Sequence, residues 1–519
     1  MSTLFISAPG ALNLNEINHR QSQNEVIVGV QAPAPTLAVM STAVNGTLEK
    51  LALEPSKKQH VIVVGAGISG LRAASVLQRH GIAVTILEGR PDRIGGRICT
   101  SRRDGKGARD IGAAWMHETS QNKLVQLIPK LGIEYYYDDG TPLYYTRDGR
   151  AGSQFKAKKV ADEFADWIEW YYDENPNAPD RSVKDSVDDF VAKHPLITAS
   201  ERKWAPQATR EVELWIGTSI DNASAKHLSY FMTERNLYMK GGYDKIVNWT
   251  AKPLLKDPNM IHLGEVVKNI TWGDSDSSTV VQTQKGTYTA DAVIVTVPLG
   301  CLRRKMISFS PPIPASIQQG IDSFSYGALG KVFVEFSEVF WPKDNDQFMY
   351  YPSPIPAGTP IDESSILSYA TVTSNLWIMS GSKELCIQVA EPLTQRIESM
   401  DHAELYVFFE PLFKILRTEP YKDLPDLLNI ETTHWTLDPL AGFGSYSVEK
   451  VGDDSEILVN ALDEHRNKRL QFAGEHCIEV GNGCVHGAFE TGEIAARNLL
   501  GVFGREWDGQ DTTARSVSP

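Results

Sequence analysis

Apolar and polar positions along this chain alternate between two periods, and the switch points mark its elements. From Val61 to Val64 four β-branched residues follow one another, the pattern of a parallel strand buried on both faces. Gly65-Ala66-Gly67-Ile68-Ser69-Gly70 ends the run, and Leu71, Ala74 and Leu77 then recur at helical spacing until Gly81. A second apolar run, Ala83 to Leu87, carries Glu88 at its carboxyl end. From about 135 to 249 the helical period dominates, as in Val160–Tyr172, where apolar and acidic residues alternate by face. Met239-Lys-Gly-Gly-Tyr-Asp-Lys-Ile-Val247 reads as a glycine turn into a helix. Ile261–Trp272 and Ala290–Gly300 read as strands, and in Tyr326–Phe336 Lys331 starts an alternating strand, with Lys331 and Phe333 opposite Val332, Val334 and Phe336. The Pro-rich Tyr351–Pro360 predicts a loop, the segment to Leu424 strands followed by a helix, and Glu493–Leu500 a last helix.

The first of these units carries chemistry. A bare G-x-G-x-x-G is common, but strand, turn, helix, strand and acid in this order are what dinucleotide binding requires. Gly65 makes the tight turn, Gly67 lets the backbone approach a pyrophosphate, and Gly70 allows close helix–strand packing, with Ser69 in the same turn. The helix N-terminus faces the phosphate charge, and Glu88 can accept both ribose hydroxyls. Arg93-Ile94-Gly95-Gly96-Arg97 follows, a second glycine turn with an arginine that can meet the pyrophosphate; it favours FAD over NAD. Asp110-Ile-Gly-Ala-Ala-Trp-Met-His-Glu118 adds Gly112 and Ala113, small enough for the backbone to approach a flat ring.

Composition narrows the picture in four ways. A chain of 519 residues exceeds one ordinary core, so two intertwined domains are expected. The formal charge of −14 argues against a nucleic-acid partner and suits a cationic substrate. Five cysteines without a C-x-x-C pair predict free thiols in a reducing compartment, hence the cytoplasm, with neither a disulfide framework nor a metal site. No apolar run approaches the ~20 residues of a membrane span. Residues 1–58 are expected to be a disordered arm without a secretory or transit signal, and 505–519 a flexible tail without a peroxisomal ending.

From Gly65 to Arg97, and again at several later motifs, the chain resembles the flavin-containing amine oxidases, a family of monoamine and polyamine oxidases, LSD-type histone demethylases and L-amino-acid oxidases. The resemblance covers about 60–504. It implies an α/β fold, a Rossmann-like FAD-binding domain (59–135, 255–305 and 425–504) interleaved with a mixed α+β substrate-binding domain (136–254 and 306–424). It passes Gly112, Ala113 and Trp115 under the isoalloxazine and sets Val266, or its neighbour, beside the adenine. Val297-Pro-Leu-Gly300 matches the family's strand end that points at the cofactor. In Phe472-Ala-Gly-Glu475 the glutamate is expected near the ribityl and phosphates, and Val485 offers a backbone N–H to the pyrimidine end of the flavin. No cysteine lies between Cys386 and Cys477, where monoamine oxidases attach their flavin, so FAD is expected to be noncovalent.

The same resemblance assigns the reacting side. Lys331 corresponds to a lysine that holds a water next to flavin N5 and helps O2 reoxidise the reduced flavin. His434–Tyr446 resembles the family's W-x-x-x-P-x-x-x-G-S-Y segment with one extra residue, so Trp435 and Tyr446 would flank the ring or line the cavity. His117 falls where several polyamine oxidases place a histidine lining the amine site; a structural histidine bonded to backbone is the other reading. Glu118 could attract a distal ammonium. Cys484 stands where many amine oxidases carry an aromatic residue, and that form, with Trp115–Glu118, is similar to the fungal or yeast-type polyamine oxidases. The implied reaction moves an α-hydrogen of a neutral amine, as hydride, to the flavin. The iminium is then hydrolysed to an aldehyde and a shorter amine, and O2 becomes H2O2. A pathway oxidase of a natural-product amine or amino-acid derivative is the alternative. A chromatin-bound demethylase would need a nucleosome-binding module and a coiled-coil insertion, neither of which is evident in the sequence.

Overall fold

The computed structural model describes residues 58–103, 107–138, 142–152, 155–228, 236–273, 278–356 and 359–509. The arm assigned to 1–58 lies outside them apart from Lys58, as does the tail beyond Gly509. Eight elements position the site: β1 (His60–Val64), α1 (Ile68–Arg79), β2 (Ala83–Glu88), β3 (Ile261–Leu263), β4 (Ala292–Val295), β5 (Leu329–Phe336), β6 (Leu470–Phe472) and α2 (Val485–Val502).

Five of these strands form a parallel sheet of order β3-β2-β1-β4-β6. Its central strand is hydrogen-bonded on both sides, so Val61, Ile62, Val63 and Val64 are all buried, each worth ~1.5–3 kcal/mol relative to an exposed position. α1 and α2 pack on one face of the sheet and touch each other closely. A Cβ on Gly492 would lie 2.2 Å from the Ser69 carbonyl oxygen, so only glycine lets these helices meet.

A seven-stranded sheet is built separately, and β5 lies inside it between Leu427–Thr432 and Glu384–Ala390. Val332, Val334 and Phe336 enter its core with the helix His402–Leu416, while Phe333 joins a separate cluster with Ala114 and Tyr238. The helical region around Phe164, Val187 and Ile216 has a core of its own. Leu237, Tyr243 and Ile246 pack with α1 and α2, and Ile307, Ile317 and Phe324 pack with β4 and β6.

The stretch 135–249, read as helical, opens with the strands Tyr135–Tyr137, Leu143–Thr146 and Gly149–Arg150, the last two joined to the seven-stranded sheet, and holds a further strand at Leu237–Met239. Three more elements differ from the sequence pattern, each for a local reason. The last helix starts at Val485, as the resemblance implies with a helix N-terminus after Gly483, and runs unbroken through Glu493, where the sequence pattern begins its helix. Gly487 and Gly492 look like breakers but are required by contact, since a Cβ on Gly487 would sit 2.1 Å from the Gly481 oxygen. Ile261–Trp272 is two strands in different sheets, turned at Gly264 with φ +70°. Ala290–Gly300 contains only the short β4. The chain leaves it through Thr296, and Pro298 starts the turn of helix Leu299–Arg303.

Candidate active site

The glycine turn sits at the carboxyl end of β1. Gly65 has φ +107°, and a Cβ on Gly70 would fall 2.1 Å from the Gly65 oxygen, so the helix can leave the strand this tightly only with glycine at both places. A Cβ on Gly67 would meet no protein atom within 4 Å; its Cα faces Gly96, the second glycine of the following turn. Ser69 Oγ, in the first turn of α1, is buried without a partner among the described residues. Glu88 accepts the Ala66 N–H (2.7 Å) and the Arg90 N–H (2.8 Å), which aims its carboxylate at the turn. An orphaned hydroxyl, an unoccluded glycine and a helix N-terminus suit a dinucleotide pyrophosphate, with Glu88 at the ribose. Gly67→Ala is therefore expected to fold normally while binding FAD about tenfold more weakly or worse, the scale of one lost charge-assisted contact. Flavin fluorescence titration checks this.

Arg97 reaches across the molecule. Its Nη1 donates to Glu475 Oε1 (2.7 Å), the Ser445 carbonyl (2.9 Å) and Tyr326 Oη (3.1 Å). Burial works against the guanidinium charge, but Tyr326 and Glu475 outweigh it and hold its pKa above the ordinary value. Glu475 in turn accepts from Ser447 and from the Gly483 N–H (2.9 Å) just before α2. Burial alone would raise its pKa; Arg97 first among its partners lowers it instead. Glu475 thus braces both Arg97 and the turn that presents the Val485 N–H. Val266 lies between β3 and the next strand, against Gly89, with its carbonyl taken by the Gln284 N–H.

Lys331 is 7 % exposed and does not snorkel to solvent. Its Nζ donates to the Asp110 carbonyl (3.3 Å) and the Gly112 carbonyl (2.5 Å) and lies 5.3 Å from the centre of the Trp115 ring. Desolvation lowers its pKa, with Cys386 and Asp110 opposing. Gly112 is obligatory here, since a Cβ would meet the Arg97 oxygen at 1.8 Å; Ala113 follows it. Trp115 Nε1 is buried without a partner among the described residues. Trp435 donates from Nε1 to the Ile111 carbonyl (3.4 Å), between the two carbonyls that hold Lys331. Tyr446 donates to the Trp215 carbonyl (2.8 Å) and stands against Gly483.

Asp110 is missed by sequence reasoning because its pattern is that of a strand end. Its carboxylate accepts both from Thr100 Oγ1 and from the Tyr243 N–H, and burial raises its pKa to about 6. A raised acid pKa means the folded state binds protons more tightly. Ionising Asp110 therefore costs stability, on the order of 3 kcal/mol, as pH rises from about 4 to about 6. Asp110→Asn is expected to flatten thermal stability across that window, as a melting series at several pH values would measure.

His117, Glu118, Cys484 and His486 gather where α2 begins. His117 Nδ1 lies 2.6 Å from Asn236 Oδ1, a side-chain partner and not backbone, and burial lowers its pKa. Glu118 has φ +52°, uncommon away from glycine, and its Oε2 is 3.0 Å from His486 Nε2. That hydrogen bond is the largest cause of its lowered pKa. Cys484 is the residue before α2, and burial first, then Glu118, pushes its thiol up to about 12, so it stays a neutral thiol. His486 and Asn236 were not visible as site residues in sequence; only the helical register of α2 could have signalled His486.

These groups make up the candidate site, and comparison with known proteins decides the family. Residues 68–500 match the flavin containing amine oxidoreductases. The chain belongs to that family. It is similar to polyamine oxidase 4 of Oryza sativa subsp. japonica, 30% identical over 87% of this chain and 90% of that one. It is also similar to a corticosteroid-binding protein of Candida albicans, 28% identical over 86% and 96%. A third relative is lysine-specific histone demethylase 1 homolog 2 of Arabidopsis thaliana, 30% identical over 86% of this chain but 59% of the longer relative. The chain is thus an FAD-dependent oxidoreductase acting on CH–NH groups, with FAD held noncovalently and H2O2 the typical product of the reaction. Among the described residues no helix is long and apolar enough to cross a membrane.

Proposed function

We propose that this enzyme oxidises a C–N bond of a polyamine-type amine, with O2 as electron acceptor and the imine hydrolysed to an aldehyde and a shorter amine. The observation that carries this reading is a neutral imidazole beside an ionised carboxylate. Burial lowers the pKa of His117, which favours its neutral form, and the bond to His486 lowers that of Glu118, which favours its ionised form. A polyamine offers the complement of both: one amine that must be unprotonated to react and a second that remains cationic. FAD, when bound, supplies the hydride acceptor. His117 accepts a hydrogen bond from the reacting amine. Glu118 takes the distal ammonium in exchange for His486, and Trp115, Trp435 and Tyr446 keep water from the reacting carbon.

The parallel sheet with α1 and α2 serves in this reading as the FAD domain, and the seven-stranded sheet with the helical region as an interleaved substrate domain. The segregated cores support that division, with 237–254 and 307–324 counted on the FAD side. The cytoplasm remains the proposed compartment, supported by five unpaired cysteines.

Anaerobic bleaching of the yellow protein by spermine, N-acetylspermine, a monoamine and an L-amino acid tests the substrate class. Fast bleaching by the polyamines alone is expected. Glu118→Gln should raise KM for spermine about tenfold or more, the scale of one charge-assisted hydrogen bond, while leaving a monoamine unaffected. Bleaching by none of the four, with the flavin still reducible by dithionite, would assign a pathway amine instead, a reading that Cys484 in place of an aromatic residue favours.

A further inference from the structure

We propose that Glu398, far in sequence from every residue assigned above, is a positioning residue that fixes Lys331 and Trp435 against the cofactor. It follows the short helix Leu393–Ile397 and is buried. Oε1 accepts from Thr433 Oγ1 (2.8 Å) and the Trp435 N–H (3.0 Å). Oε2 accepts from the Thr436 N–H (2.7 Å) and Thr436 Oγ1 (2.5 Å). The Glu398 carbonyl lies 3.2 Å from His434 Nδ1, so one residue ties down every position from 433 to 436. Among the described residues no cation pairs with it, and its partners are all neutral donors.

The bonds close a circuit through the site. Thr433 Oγ1 accepts the Lys331 N–H (3.1 Å), so its own proton must point to Glu398. The Thr433 N–H returns to the Lys331 carbonyl (3.0 Å), which fixes that residue in β5 from both sides. Lys331 Nζ reaches the carbonyls of Asp110 and Gly112, Trp435 Nε1 reaches that of Ile111 between them, and the Trp435 N–H leads back to Glu398. Each Glu398 oxygen faces a backbone N–H, which cannot reverse. An amide at this position would turn its NH2 against one of them, so a carboxylate is the side chain that satisfies both.

The proposal rests on the role given to Lys331 but not on the substrate. The test is therefore reoxidation by O2 of photoreduced holoenzyme, without any amine, for Glu398→Gln, Thr433→Val and the double variant. FAD affinity is followed in parallel by flavin fluorescence, and the visible flavin spectrum reports the ring's surroundings. Expected are retained FAD binding, a shifted flavin spectrum, reoxidation slowed at least tenfold in each single variant, and a double variant no slower than the slower single. Reoxidation within twofold of wild type in a variant that holds FAD, or multiplicative effects in the double, would overturn the proposal. Should E398Q fail to fold, Thr433→Val decides alone by the same limits. Unchanged reoxidation in Lys331→Met overturns the role of Lys331 and with it this proposal, whereas slowed reoxidation in Lys331→Met with wild-type rates in E398Q and Thr433→Val overturns the positioning by Glu398 alone.

Discussion

Lys331→Met is expected to keep its yellow FAD and to reoxidise about a hundredfold more slowly, within the range for one positioned proton-handling group. Methionine fills nearly the same volume in the same strand and removes a charge whose burial costs free energy, so folding should survive. What disappears is the ammonium between the Asp110 and Gly112 carbonyls beside Trp115. In the role proposed for Lys331, developing negative charge on O2 or the flavin would then lack a fixed cation. Stopped-flow mixing of the reduced variant with aerated buffer gives the rate directly, and an unchanged rate would remove Lys331 from this role. Anaerobic reduction by substrate should change much less, which separates help in the oxidative half from general damage to the site.

How much of this site could be read from sequence follows from the range of each interaction. The unit from Val61 to Arg97 was legible because its logic is local: strand, glycine turn, helix and acid lie within one stretch. Lys331 was legible only through the family resemblance, since alternation in β5 puts it on the face opposite Val332 and Val334, where a lysine ordinarily reaches solvent; its burial comes from what packs on the Phe333 side of the strand. Glu398 was not, because its carboxylate meets Thr433, Trp435 and Thr436 only once the chain has returned to the same place. Helix α2 was cut short in sequence because Gly487 and Gly492 carry the propensity of breakers. Their reason for being glycine lies in Gly481 and Ser69, which no helical period reveals.

Glu475→Ala should give the largest loss of both stability and cofactor. Glu475 is 3 % exposed and binds Arg97, Ser447 and the Gly483 N–H at once. Truncation leaves the Arg97 charge, among the described residues, with the Ser445 carbonyl and Tyr326 Oη as partners of its side chain, and leaves Gly483 without its acceptor before α2. Breaking one partner out of a buried pair costs about 3–5 kcal/mol. FAD affinity should fall about hundredfold, the scale of losing an oriented buried charge at a binding surface. Equilibrium dialysis of flavin and thermal melts of the apo-protein read the two losses separately. Glu475→Gln should fall between, since one amide oxygen can serve Arg97 or Gly483 but not both. The pH dependence has a fixed sign. The folded pKa of Glu475 lies below its ordinary value, so its contribution is complete above that value and lost as pH falls through the lower folded one. Wild-type holoenzyme should therefore release FAD on strong acidification, and Glu475→Ala, having already lost the bracing carboxylate, should show a much weaker acid dependence. Equal acid sensitivity in the two proteins would place the bracing of Arg97 elsewhere.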